Sequence, residues 1–143
     1  MTEAGTFNKV EKSDRQMYGE RKIIVCGYPA TEHLLIQAVI GRTGISDLPV
    51  AFADESCLEK TLKEIIALPD MFGLAANSRM RRAVILSGIT NEELHHIMDS
   101  YRAIGLPGQL WATLTPTSEG WTLKALLDEL SAEREAFRKR QTN

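Results

Sequence analysis

The 143 residues are the size of one domain, enough to bury roughly two thirds of the surface of the extended chain. Apolar residues make up 43% and charged residues 25%, globular proportions that exclude disordered and fibrous classes. A formal charge of −2 offers no basic field for nucleic acid, and the two cysteines, Cys26 and Cys57, make neither a metal spacing nor a disulfide framework, which suits a reducing cytoplasm.

Residues 1–20 are polar, of mixed charge, and are expected to form a disordered tail. They show no basic-then-apolar signal pattern, and no apolar run in the chain approaches the roughly 20 residues of a membrane span, so no membrane partner is expected. Residues 21–143 read as a single α/β domain. Lys22 to Cys26 is an aliphatic strand closed by Gly27, and a helix follows that ends at Gly44. Leu48 to Ala53 is a weaker strand. From Glu55 the spacing of Leu58, Leu62, Ile65 and Ile66 predicts a helix that Pro69 stops. After a connection over 69–81, Ala83 to Leu86 is a strand and Ser87-Gly88 its turn. Thr90-Asn91-Glu92-Glu93 is a capping box, because the hydroxyl and the carboxylate can each satisfy an orphan helix N–H. Leu94, Ile97, Met98 and Tyr101 stripe the helix that follows, which Gly105 ends. Leu110 to Leu114 is a fourth strand, and Leu123, Leu126, Leu127, Leu130 and Phe137 stripe the last helix.

The chain matches itself. Residues 21–68 laid over 82–129, an offset of 61, need no gap and give ten identities in 48 positions, where about three are expected by chance. They are Arg21/Arg82, Ile24/Ile85, Gly27/Gly88, Glu32/Glu93, Ile36/Ile97, Gly44/Gly105, Ala51/Ala112 and the triplet Thr61-Leu62-Lys63/Thr122-Leu123-Lys124. The pattern reads as two tandem β-α-β-α repeats, 21–68 and 82–129, with 130–143 as a C-terminal helix extension. Alternating strands and helices predict a four-stranded parallel sheet of order 2-1-3-4 with flanking helices, the two units related by a twofold axis. A ferredoxin-like α+β sheet with added helices is the alternative.

Ser87-Gly88-Ile89-Thr90-Asn91-Glu92-Glu93-Leu94, followed by Thr115-Pro116-Thr117 and Trp121-Thr122-Leu123, resembles the pattern of a small prokaryotic family of uncharacterised domains. The resemblance covers roughly residues 82–130 and implies kinship of fold without an activity. The first unit departs from it: Asp54-Glu55-Ser56 stands in place of Thr-Pro-Thr, and Lys60 in place of Trp121.

Motifs for common enzyme chemistries are missing, and neither a cofactor nor a metal is expected. His95 and His96 point about 100° apart on one helix, and His33 belongs to another. Arg79, Arg81 and Arg82 alone do not predict a nucleic-acid partner. Thr115, Thr117 and Ser118, ahead of the last helix, are candidate ligands for a small anion at its N-terminus. Tyr28, Ser87 and Asn91 would line a crevice if the turns at Gly27 and Gly88 flank one, as at the carboxyl ends of strands in open α/β sheets. In the first helix Gln37 is the only polar residue from Leu34 to Ile40, so Ile36 and Ile40 are expected on an outer apolar strip that a second copy covers, giving a homodimer. The sequence thus favours a non-catalytic binding or interaction module for a small anionic ligand or a protein partner. The alternative is a small enzyme or nucleotide-binding protein using the strand-end crevice, for which only Glu32, Asp54, Glu92, Glu93 and Glu119 supply acid–base groups.

Overall fold

Residues 15–105 and 109–141 are described by a computed structural model of the chain. The first strand, β1 (Lys22–Cys26), is buried along its whole length, as its unbroken aliphatic run requires of a strand covered on both faces. The first helix, α1 (Ala30–Arg42), leads to β2 (Val50–Ala53), a 3-10 turn over Glu55–Cys57 and a short helix, α2 (Leu62–Ile66). The second unit repeats the order: β3 (Ala83–Ser87), α3 (Asn91–Ile104), β4 (Leu110–Thr113), a 3-10 turn over Ser118–Gly120 and α4 (Leu123–Gln141). The helix expected from Glu55 is broken in two. Asp54 caps the 3-10 turn by accepting from Ser56 N, and Thr61 opens a new helix through a capping box with Glu64, so two local caps override a helical spacing of leucines.

Among the described residues the strands form one sheet in the order β2-β1-β3-β4. The order is the expected one, but the sheet is mixed and not parallel: β1 pairs with β2 and β3 with β4 in parallel, while β1 and β3 are antiparallel. The cause lies in the connection. After α2, residues 70–73 run alongside β2, with a parallel bridge from Ala51 to Phe72. This returns the chain to the carboxyl end of β2, and it crosses the end of β1 and starts β3 from there. No crossover is left to make β3 parallel.

Three layers result. Ile36, Val39 and Ile40 of α1 and Leu94, Ile97 and Tyr101 of α3 pack on one face of the sheet against Ile23, Val25, Val84 and Leu86. Leu62 and Ile65 of α2 and Leu123, Leu126 and Leu127 of α4 pack on the other against Ile24, Cys26, Ala83 and Ile85. Each large side chain so buried contributes about 1.5–3 kcal/mol. Beyond Ser131 every described residue of α4 is exposed, so its second half stands clear of the domain.

Contacts between the units recur with partners exchanged 61 positions on. Ile24 lies opposite Ile85 at the centre of the antiparallel pair. Thr61 bridges Thr122, with Leu62 N donating to Trp121 O and Leu123 N to Lys60 O. Arg21 pairs with Glu93 at 2.9 Å and Arg82 with Glu32 at 2.7 Å. Of the tail expected over 1–20, residues 1–14 lie outside the described residues. Residues 15–20 are tied to the domain: Met17 N donates to Ile89 O, and Tyr18 O accepts from Gly88 N.

Candidate functional site

Because β1 and β3 are antiparallel, the turns at Gly27 and Gly88 lie at opposite ends of the sheet: Cys26 is opposite Ala83, and Lys22 opposite Ser87. Tyr28 is therefore separated from Ser87 and Asn91, and the shared crevice expected from the sequence does not form. Each end is also covered. Gly27, at φ 80°, sits where an added Cβ would come within 2.7 Å of the Arg81 carbonyl oxygen, and Gly88, at φ 67°, meets Arg21 N at the same distance. Only glycine tolerates both the conformation and the approach.

At the first end, Tyr28 is 1% exposed. Its hydroxyl donates to Gln109 Oε1 at 3.2 Å, and the Arg82 guanidinium lies 4.6 Å over its ring. Burial pushes the phenol up to about 12, partly offset by Arg82. Tyr101, edge-on to Trp111 at 5.1 Å, is also raised by burial and by the neighbouring Tyr28. Its hydroxyl has no hydrogen-bond partner among the described residues. His33, buried and stacked on Phe52 at 4.2 Å, is spent on structure. Ala75 N–H donates to Nδ1 at 2.9 Å, so Nε2 carries the hydrogen and gives it to the Tyr28 carbonyl at 3.1 Å.

At the second end, Ser87 is 1% exposed and its Oγ has no partner among the described residues. Opposite it, the buried Lys22 ammonium donates to the Leu68 carbonyl, and burial lowers it below the usual lysine range against the pull of Asp70 and Glu20. Gly19 closes over Ser87, and Tyr18 Oη donates to Glu119 at 2.6 Å. Asn91 is half-buried at the first position of α3. Thr115 and Ser118 bond one another, Ser118 N donating to Thr115 Oγ1 at 2.9 Å and Thr115 N to Ser118 Oγ at 3.0 Å. Thr117 is exposed and caps nothing through its side chain. The last helix begins at Leu123, where Thr122 Oγ1 accepts from Ala125 N. Thr115 and Ser118 therefore stabilise a turn ahead of the helix N-terminus, and Thr117 stands exposed beside it.

Ile36 and Ile40, expected on an outer strip, are 0% and 7% exposed and face the sheet. The outside of α1 is instead Leu34, 72% exposed, Leu35, 41% exposed, and Ala38. A cavity of about 180 Å³ between the ends of α1 and α3 is lined by Val39, Arg42, Ser100 and Ala103. That is below the range of drug-sized ligand sites. Among the described residues no three histidine, cysteine, aspartate or glutamate side chains converge on a metal position, and no helix is long and apolar enough to cross a membrane.

The sequence reading missed Lys22, Tyr101 and the exchanged ion pairs. The ion pairs carried a signal, since Arg21/Arg82 and Glu32/Glu93 are both in-register identities. Residues 82–137 match the family model described as "Domain of unknown function (DUF3783)", a similarity confined to the second unit and the start of the projecting helix. No curated protein matches the chain, and no solved structure does.

Proposed function

We propose that the chain is a non-catalytic interaction module that pairs with a second copy of itself through the outer strip of α1. The observation that carries this reading is the strip itself: Leu34, Leu35 and Ala38 exposed on adjoining turns of one helix. The matching positions of α3 hold His95, His96 and Asp99, the polar outer face that a solvated helix has. Soluble chains seldom leave a contiguous apolar strip unused. Ala38 and Gly41 are small, and a Cβ on Gly41 would touch nothing, so two α1 helices can approach closely about a twofold axis. The enzyme alternative has less support, because the two turns lie at opposite ends and the chain covers each. Light scattering at micromolar concentration should report twice the chain mass, and Leu34→Glu with Leu35→Glu should halve it without loss of fold. A wild-type protein at the single-chain mass ends this reading.

We infer in addition that the two units descend from one ancestral unit that paired with its own copy. The ten in-register identities support it, as do the exchanged contacts around Ile24 and Ile85 and a family model that spans one unit. The motif from Gly88 to Leu94 supports prokaryotic relatives, and two free buried thiols support a cytoplasmic setting. The test of shared descent is whether the units stay paired once the connection between them is cut.

A further inference from the structure

We propose that the outer edge of β4 is a docking site for an extended apolar segment of another protein, added as a fifth strand parallel to β4. The two outer strands of the sheet hold equivalent registers: Val50 and Phe52 face Ile23 and Val25, as Trp111 and Thr113 face Val84 and Leu86. Their outer edges differ. On β2, Met71 N donates to Val50 O and Phe52 N to Phe72 O, both at 2.7 Å, and Val50 N donates to Asp70 Oδ1 at 2.8 Å. All four β2 residues are buried. On β4, Leu110 N and Leu114 N turn inward, to Arg82 O and Leu86 O. The two-residue period therefore turns the amides and carbonyls of Trp111 and Thr113 outward. Nothing among the described residues pairs with them; Trp111 and Ala112 are half-buried and Thr113 is 9% exposed, so the edge is open at its main chain more than at its side chains.

The covered edge states what the open one fits. Its occupant, Asp70-Met71-Phe72-Gly73, is extended, parallel to the strand, and brings two consecutive large apolar side chains. The same main-chain groups at β4 would hold the same kind of segment by strand addition, with backbone bonds giving affinity and half-buried Trp111 giving apolar cover. This site does not depend on the α1 strip.

The experiment titrates the full chain into a labelled synthetic peptide of residues 68–76 and reads anisotropy together with tryptophan emission. Saturable binding at micromolar concentration with a shift in emission is expected. Thr113→Pro, which removes an outward N–H while leaving the bonds to β3, should weaken binding about fivefold to tenfold. N-methylation at the peptide's methionine, which leaves the protein untouched, should do the same. Leu34→Glu with Leu35→Glu should leave the binding unchanged, which separates this site from the dimer reading. Absence of saturable binding overturns the proposal, and so does binding indifferent to both Thr113→Pro and N-methylation. A protein beginning at Arg15 that binds the peptide when the full chain does not would assign the edge to the chain's own N-terminus. Self-association abolished by Thr113→Pro would assign it to a second copy. Either result overturns an external partner.

Discussion

Arg21 and Glu93 carry two jobs with one contact. The Glu93 carboxylate receives both guanidinium nitrogens of Arg21 at 2.9 Å and also accepts from Thr90 N at 2.9 Å, closing the capping box of α3. The pair therefore ties the residue ahead of β1 to the first turn of a helix in the other unit. The Arg21 hydrogen bonds hold the Glu93 carboxyl below the usual 4.5, the Thr90 amide helps, and burial opposes them. A folded-state value lower than the unfolded one means stability that is present above about 4.5 and lost as pH falls through the folded value. Glu93→Gln should cost about 1–2 kcal/mol near neutrality, from a charge-assisted pair and a cap that is only partly replaced. Urea midpoints of wild type and variant should converge once the pH has fallen below the folded value of Glu93, where both side chains are neutral. A gap that persists there would assign the effect to packing and not to charge.

At the scale of elements, α4 is two structures in one helix. Leu123, Leu126 and Leu127 are buried against the sheet, whereas residues 132–141 touch solvent all round, Phe137 at 52% exposure. Ending the chain after Ser131 should shift the melting temperature by no more than about 2 °C, because exposed residues contribute little. Leu126→Ala should cost about 2–5 kcal/mol by opening a cavity. Thermal scans of the two variants would show the contrast, and a large loss on truncation would mean that the outer half is held by a partner. The division was half legible in the sequence. The leucines from Leu123 to Leu130 mark where α4 packs, but Phe137, read as part of the same stripe, is 52% exposed on the projecting half. The phase of α1 was not legible: six apolar residues among the seven from Leu34 to Ile40 leave no polar face to orient the helix. The helix is oriented by His33, which bonds Tyr28 O and Ala75 N, and this turns Ile36 and Ile40 inward. Neither bond has a signature in residue spacing. The bonding of the Thr115–Ser118 turn was not legible for a related reason, since hydroxyls ahead of a helix look the same whether they bond a ligand or one another.

For the whole molecule, the in-register identities mark positions where the two units meet as well as where each turns. Ile24 and Ile85 face each other, Gly27 and Gly88 receive the segment that leads into the other unit, and Arg21 and Arg82 reach across to Glu93 and Glu32. Strand order was legible from aliphatic inner strands and weaker outer ones. Strand direction was not, because a two-residue side-chain period is the same in both directions; the path of residues 69–81 along β2 decides it. The same path makes the connection separable from the contacts that hold the units. Its tip at Leu74 and Ala75 is exposed, and both core layers, the β1–β3 ladder, the Thr61–Thr122 bridge and two ion pairs cross between units without it. A protease site inserted between Ala75 and Ala76 and cleaved in the folded protein should therefore leave one particle. The two fragments should co-elute on gel filtration in buffer and separate in denaturant. Refolding from the separated fragments should be slower at lower concentration, since cutting turns a unimolecular docking into a bimolecular one. Fragments that part in buffer would mean that the connection holds the units together, and descent from a self-pairing unit would lose its physical basis.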